Sequence, residues 1–190
     1  MFISYNEACA RDCSTLEQDL VLCEKAGFDY IEIRLDMLTD YLKRHTVEEL
    51  AAFFCTSRLK PHAFNALYLY PEFLSEGDDE ARQKELLEEF RLGCEVGRAI
   101  GSHYFIIVPP LQRDPAGGPY TGSWEDTFSN CVRILKELSR RAEPYDMNLC
   151  FELVGFERSS VRSIGQADAV VRAVDRPNVG SRRQAVLGRQ

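Results

Sequence analysis

Apolar positions along this chain switch repeatedly between two periods. Short runs that alternate or cluster read as strands, and longer runs with apolar residues three and four apart read as helices. Phe2 to Ala8 reads as a first strand. Ser14-Thr15-Leu16-Glu17 then has the form of a capping box, opening a helix with Leu16, Leu20, Cys23 and Ala26 on one face and Gly27 at its end. Tyr30 to Leu35 is the second strand. Thr46-Val47-Glu48-Glu49 is another capping box, and its helix, through Leu50, Phe53 and Phe54, stops before Lys60-Pro61. His62 to Leu69 is the third strand. A long amphipathic helix starting at Asp78 or Asp79 carries Leu86, Leu87, Phe90, Cys94 and Ile100 and ends at Gly101. Tyr104 to Val108 is the fourth strand, broken by Pro109-Pro110. Leu111 to Gly122 reads equally as a mobile rim over a site and as a solvated connector. Ser123 opens a helix through Val132, Leu135 and Leu138; Leu149 to Val154 is strand five; Ser163-Ile164-Gly165-Gln166 caps a helix through Val170, Val171 and Val174; Val179 begins strand six.

Regular alternation of strand and helix implies a parallel α/β sheet covered by helices, either open and doubly wound or part of a (β/α)8 barrel. No glycine-rich phosphate loop follows the first strand, where the sequence is Cys9-Ala10-Arg11-Asp12-Cys13, so the barrel is favoured.

The strands also carry chemistry. In Asn148-Leu149-Cys150-Phe151-Glu152-Leu153-Val154-Gly155 one acid sits inside an apolar run, and a buried carboxylate needs a partner, a hydrogen bond or a metal. Side chains alternate along a strand, so Ile31, Ile33 and Leu35 face the helices while Glu32, Arg34 and Asp36 face the barrel interior, as does Glu152. Asn65 on strand three, and Asn6 and Glu7 at the end of strand one, add polar groups at the strand ends where barrel enzymes build their sites. An ion pair between Arg34 and one of these acids, with no chemical role, is the competing reading. His62 and His103, at strand beginnings, and surface His45 read as structural, and Trp124 as packing in the first turn of its helix.

Composition narrows the function. The 190 residues are 45% apolar and 11% aromatic, enough for a core. A formal charge of −7 and a pI near 5.1 oppose nonspecific attraction to nucleic acid and favour small polar or metal-bound ligands. Seven unpatterned cysteines suggest reduced thiols in a cytoplasm, and Cys9 and Cys13 have no second pair to complete a zinc site. The first residues read as a strand and not a signal peptide, and no apolar run is long enough to span a membrane.

Five segments carry a resemblance: Ser4-Tyr5-Asn6-Glu7-Ala8, Gly27-Phe28-Asp29-Tyr30-Ile31-Glu32-Ile33-Arg34, Lys60-Pro61-His62-Ala63-Phe64-Asn65-Ala66-Leu67, Ala142-Glu143-Pro144-Tyr145 and Phe151-Glu152-Leu153-Val154-Gly155. Together they resemble the xylose isomerase-like sugar phosphate isomerase/epimerase family, and within it the inosose isomerases of inositol catabolism. That resemblance implies a (β/α)8 TIM barrel of which residues 1–180 supply five to six βα units. It implies a divalent metal (Mn, Mg, Co or Zn) at the mouth held by two Glu, one Asp and one His, with Glu152 as the one ligand that maps onto this sequence. It further implies a polyol or sugar ketone as substrate, Glu152 and Glu32 as catalytic carboxylates, and Arg34, Asn65, Asn6 and Glu7 as substrate-binding groups. Residues 181–190 contain no Asp, Glu or His and three arginines, which reads as an aberrant tail on a truncated chain, with weak metal binding and no activity. Open sheet edges would then favour self-association. Two other readings stand beside the isomerase: a catalytically dead barrel remnant serving as an interaction module, and an abasic-site endonuclease, which the acidic balance disfavours.

Overall fold

The structure is a computed structural model that describes residues 1–10, 13–69, 80–112 and 115–181. Its strands are β1 (Ser4–Asn6), β2 (Tyr30–Arg34), β3 (Lys60–Tyr68), β4 (Tyr104–Val108), β5 (Asn148–Phe151) and β6 (Val179–Ser181). Between them lie α1 (Leu16–Ala26), α2 (Leu35–Tyr41), α3 (Val47–Thr56), α4 (Glu80–Ile100), α5 (Trp124–Ala142) and α6 (Ile164–Val174). All strand pairs are parallel, and the sheet runs β1-β2-β3-β4-β5-β6. A doubly wound sheet reverses its strand order at a switch point. Here the order never reverses, which is the winding of a (β/α)8 barrel.

The two faces of the sheet are filled differently. Ile31, Ile33, Phe64, Leu67, Phe105, Ile107, Leu149 and Phe151 are buried in one large cluster with the helices. On the opposite, interior face a smaller cluster holds Ala63, Ala66, Ile106, Val108 and Cys150. Large apolar side chains thus face the helices, and three of the five interior positions are Ala or Cys, which leaves space inside.

Several local expectations shift. The first helix is capped one residue later than its sequence suggests: Thr15 and Gln18 form the box, while Ser14 Oγ donates to Asp19 instead. Thr46 with Glu49 and Ser163 with Gln166 form the other two boxes. Strand two ends at Arg34, because Leu35, Leu38 and Tyr41 recur at helical spacing and start α2. That helix is absent from the sequence reading. Ser181, read as tail, closes β6, and residues 182–190 lie outside the described residues, as do Asp78 and Asp79.

Helix α4 lies unusually close to the sheet. A Cβ at Gly93 would stand 2.5 Å from the Phe105 ring, whose side chain is fully buried. We expect Gly93→Ala to overpack this contact and destabilise the chain by about 1–3 kcal/mol, seen as a lower urea midpoint. An unchanged midpoint would show that α4 can move away without cost.

Candidate functional site

Register brings the first polar group together. Asn6 on β1 stands beside Glu32 on β2, and Arg34 beside Asn65 on β3. Parallel neighbours in register project to the same face, so Glu32 receives amides from both sides. Its Oε2 accepts from Asn6 Nδ2 at 3.0 Å and from Asn65 Nδ2 at 3.3 Å. Glu32 is only 6% exposed, and a carboxylate so withdrawn from water requires such donors in place of hydration. Asn6 is tied down in turn, its Oδ1 accepting the Ala8 N–H at 2.8 Å.

Arg34 is held at two points. Its guanidinium forks onto the Asp36 carboxylate, with Nε to Oδ1 at 2.9 Å and Nη2 to Oδ2 completing the pair. Asp36 sits in the first turn of α2, where its Oδ1 also accepts the Met37 N–H at 3.0 Å, and not on an extension of β2. The Arg34 backbone N–H donates to Glu7 Oε2 at 2.7 Å. Arg34, Asp36, Asn65, Tyr68 and Glu89 line a cleft of about 420 Å³ beyond the ends of β2 and β3. Partial burial, then the charge of Asp36, raises the Glu89 carboxyl above its ordinary range. Another cleft, of about 500 Å³, is lined by Glu17, Asp40, Tyr41 and Arg44 in the outer helical layer. It is remote from the strand ends, so the smaller cleft is the better candidate.

Glu152 follows the last residue of β5, and its N–H donates to Ile107 O at 3.0 Å. Cys150 and Val154 both pack in the interior cluster, so alternation puts Glu152 on that same face. Strand β4 separates it from Asn65. Glu7 is fully buried, and its Oε2 is occupied by the Arg34 N–H. Among the described residues no group of three or more His, Cys, Asp or Glu side chains is arranged to hold a metal ion. One carboxylate alone does not make a divalent site, so these residues do not by themselves fit the metal.

Among the described residues the rim is tied by hydrogen bonds. Gln112 N–H donates to Arg158 O at 2.9 Å, Arg158 Nη1 to Gln112 O at 3.0 Å, Tyr120 N–H to Glu157 O at 3.0 Å and Ser160 N–H to Pro110 O at 3.0 Å. These bonds lace the segment after β4 to the segment after β5. The His62 ring lies between Tyr30 and Tyr104, at centroid distances of 5.4 and 5.7 Å. Trp124 is 38% exposed and packs against Phe128 at 5.7 Å. Sequence reasoning allowed an ion pair from Arg34 to a nearby acid but placed Asp36 on strand two instead of in α2, and it missed Glu89. The helical spacing of Leu35, Leu38 and Tyr41 was the available signal for the first; the second had none.

Comparison with known proteins places this geometry in context. A family model described as a xylose isomerase-like TIM barrel matches residues 20–181. An inosose isomerase of Halalkalibacterium halodurans is 38% identical over 95% of this chain and 60% of its own length. An inosose isomerase of Bacillus subtilis is 37% identical over 95% of this chain and 61% of its own. A crystal structure of an IOLI protein with a bound zinc atom superposes with a TM-score of 0.81 and 37% identity, covering 95% of this chain and 62% of that one. The chain thus spans about three fifths of the length of the curated relatives it matches.

Removing one amide from Glu32 should be costly. We expect Asn65→Ala to destabilise the chain by about 1–3 kcal/mol, because a buried carboxylate loses a donor. Urea unfolding of the variant measures it, and a loss within error of zero would mean that water replaces the amide.

Proposed function

Because the chain belongs to the xylose isomerase-like TIM barrel family, we propose that it carries the first six strands of an isomerase or epimerase acting on a cyclic or open-chain polyol ketone, inosose-like in substrate. What supports this most is the identity of about 38% to inosose isomerases along 95% of the chain. The carboxylate–amide cluster at the strand ends is consistent with it. The cleft of about 420 Å³ is of a size for a small polyol.

In this reading the chain's own groups have separate roles. Isomerising a hydroxy ketone moves one proton from the hydroxyl-bearing carbon to the neighbouring carbonyl carbon, while the hydroxyl proton passes between the two oxygens. Glu32 and Glu152 are the carboxylates proposed to take up and return the carbon-bound proton. Asn6 and Asn65 act through Glu32, fixing the direction of its carboxylate, and are positioning residues. Arg34, already clamped by Asp36, presents a fixed donor edge to substrate oxygens. A divalent metal would polarise the carbonyl and adjacent hydroxyl, and Glu152 is proposed as one of its ligands.

Assembly and location are part of the same proposal. Among the described residues β1 and β6 each pair on one side only, so their free edges are where further strands, of another segment or another chain, would add. All seven cysteines are unpaired, which suits a reducing cytoplasm. No helix among the described residues is long and apolar enough to cross a membrane.

Two measurements test the proposal. We expect the 190-residue chain alone to retain no stoichiometric Mn²⁺ or Zn²⁺ after dialysis and not to turn over inosose; retained metal or turnover would refute the assignment of a partial site. Joined to the part of the Bacillus subtilis relative that it does not cover, residues 1–180 should isomerise inosose, and Glu32→Gln should lower kcat/KM by about 10²–10⁴-fold. A folded, metal-loaded chimera with no inosose activity would leave the barrel remnant reading in its place.

A further inference from the structure

Behind the mouth, between β1 and α1, two carboxyl groups are enclosed together. Glu7 is 0% exposed and Asp19 is 3% exposed. One Glu7 oxygen, Oε2, accepts the Arg34 N–H, while the other, Oε1, is buried with no conventional hydrogen-bond donor among the described residues. Asp19 accepts from Ser14 Oγ at 3.0 Å, and its side chain lies within hydrogen-bonding reach of Glu7. Among the described residues, the other titratable groups around the pair are Tyr5 on β1, Cys9 in the turn after it and Cys23 on α1, and burial raises both the Tyr5 hydroxyl and the Cys23 thiol. Among the described residues the cationic side chain that acts on Glu7 is Arg34, and its guanidinium is directed to Asp36.

Two ionised carboxylates in such an enclosure repel each other with little solvent to screen them, whereas one proton between them makes an O–H···O⁻ hydrogen bond and gives Glu7 Oε1 its missing partner. We infer that Glu7 and Asp19 share a single proton, and that this pair is a positioning device for the mouth, since Glu7 Oε2 carries the backbone N–H of Arg34. Proton loss would restore the repulsion, move the Glu7 carboxylate and shift the point from which the Arg34 side chain departs. This device works in the chain by itself, whichever reaction the mouth performs.

The electrostatics point the same way. Burial, against the opposing Arg34 N–H and with added repulsion from Asp19, pushes Glu7 from 4.5 up to about 8, and burial also raises Asp19. Such a pair titrates jointly. The folded state therefore binds the proton more tightly than the unfolded chain does. Its contribution to stability is full below the unfolded value of 4.5 and is lost as pH rises toward about 8.

Carboxyl and amide NMR of the isotopically labelled chain across pH tests the inference. One glutamate carboxyl should titrate near pH 8, and the Arg34 amide resonance should move with the same midpoint. Glu7→Gln, which keeps the shape and supplies an amide donor to Asp19, should abolish both transitions and flatten the fall in urea midpoint over that range. Asp19→Asn should fold and move the Glu7 midpoint downward, because an amide donor replaces an acid. The inference is overturned if every carboxyl of the unsubstituted chain titrates below about pH 6, if the high transition survives Glu7→Gln, or if the Arg34 amide does not follow it. Should Glu7→Gln fail to fold, the unsubstituted chain and Asp19→Asn decide the matter.

Discussion

A carboxylate can be kept out of water only where hydrogen bonds replace its hydration, and in this chain that requirement ties three strands to one register. Glu32 takes its donors from Asn6 on one neighbouring strand and Asn65 on the other. A one-residue slip of either strand would turn its amide to the helix side and bring an apolar residue to face the acid. The pairing of β1, β2 and β3 is thus specified twice, by burial of Ile31, Ile33 and Phe64 on one face and by polar satisfaction on the other. Burial and polar satisfaction depend on the same register here.

The two faces divide the work by size. Bulky side chains fill the layer under the helices, and Gly93 lets α4 settle onto Phe105. Alanine and cysteine at Ala63, Ala66 and Cys150 keep the inner wall low. A low wall beside polar strand ends leaves room near the carboxylates while keeping them withdrawn from water. Behind that wall the buried acids Glu7 and Asp19 connect α1 to the end of β2 through one backbone N–H.

Much of this was legible in the residues. Strand and helix periods gave the alternation, and the inward phase of Glu32 followed from Ile31 and Ile33 flanking it. What the sequence did not reveal were contacts between residues distant along the chain. Glu7 looks like a mouth residue by its position after β1, yet the local 3-10 turn from Glu7 to Cys9 rotates it into the core, where Asp19, twelve positions later, becomes its neighbour. Asp36 follows the alternation of strand two on paper, but α2 begins at Leu35 and turns it onto Arg34. The segment from Leu111 to Gly122 read equally as a mobile rim and as a solvated connector. The bonds that tie Gln112 and Tyr120 come mostly from backbone groups, which side-chain patterns do not report.

That anchoring has a consequence for how these two segments can change. Because the backbone of Gln112 and Tyr120 is bonded to that of Arg158 and Glu157, the two rim segments form one unit with a shared set of donors and acceptors. Grafting either segment alone from a cousin with a different loop length would orphan carbonyls and amides on the one left behind. The two segments are therefore exchanged intact only as a matched cassette, with insertions in one met by changes in the other.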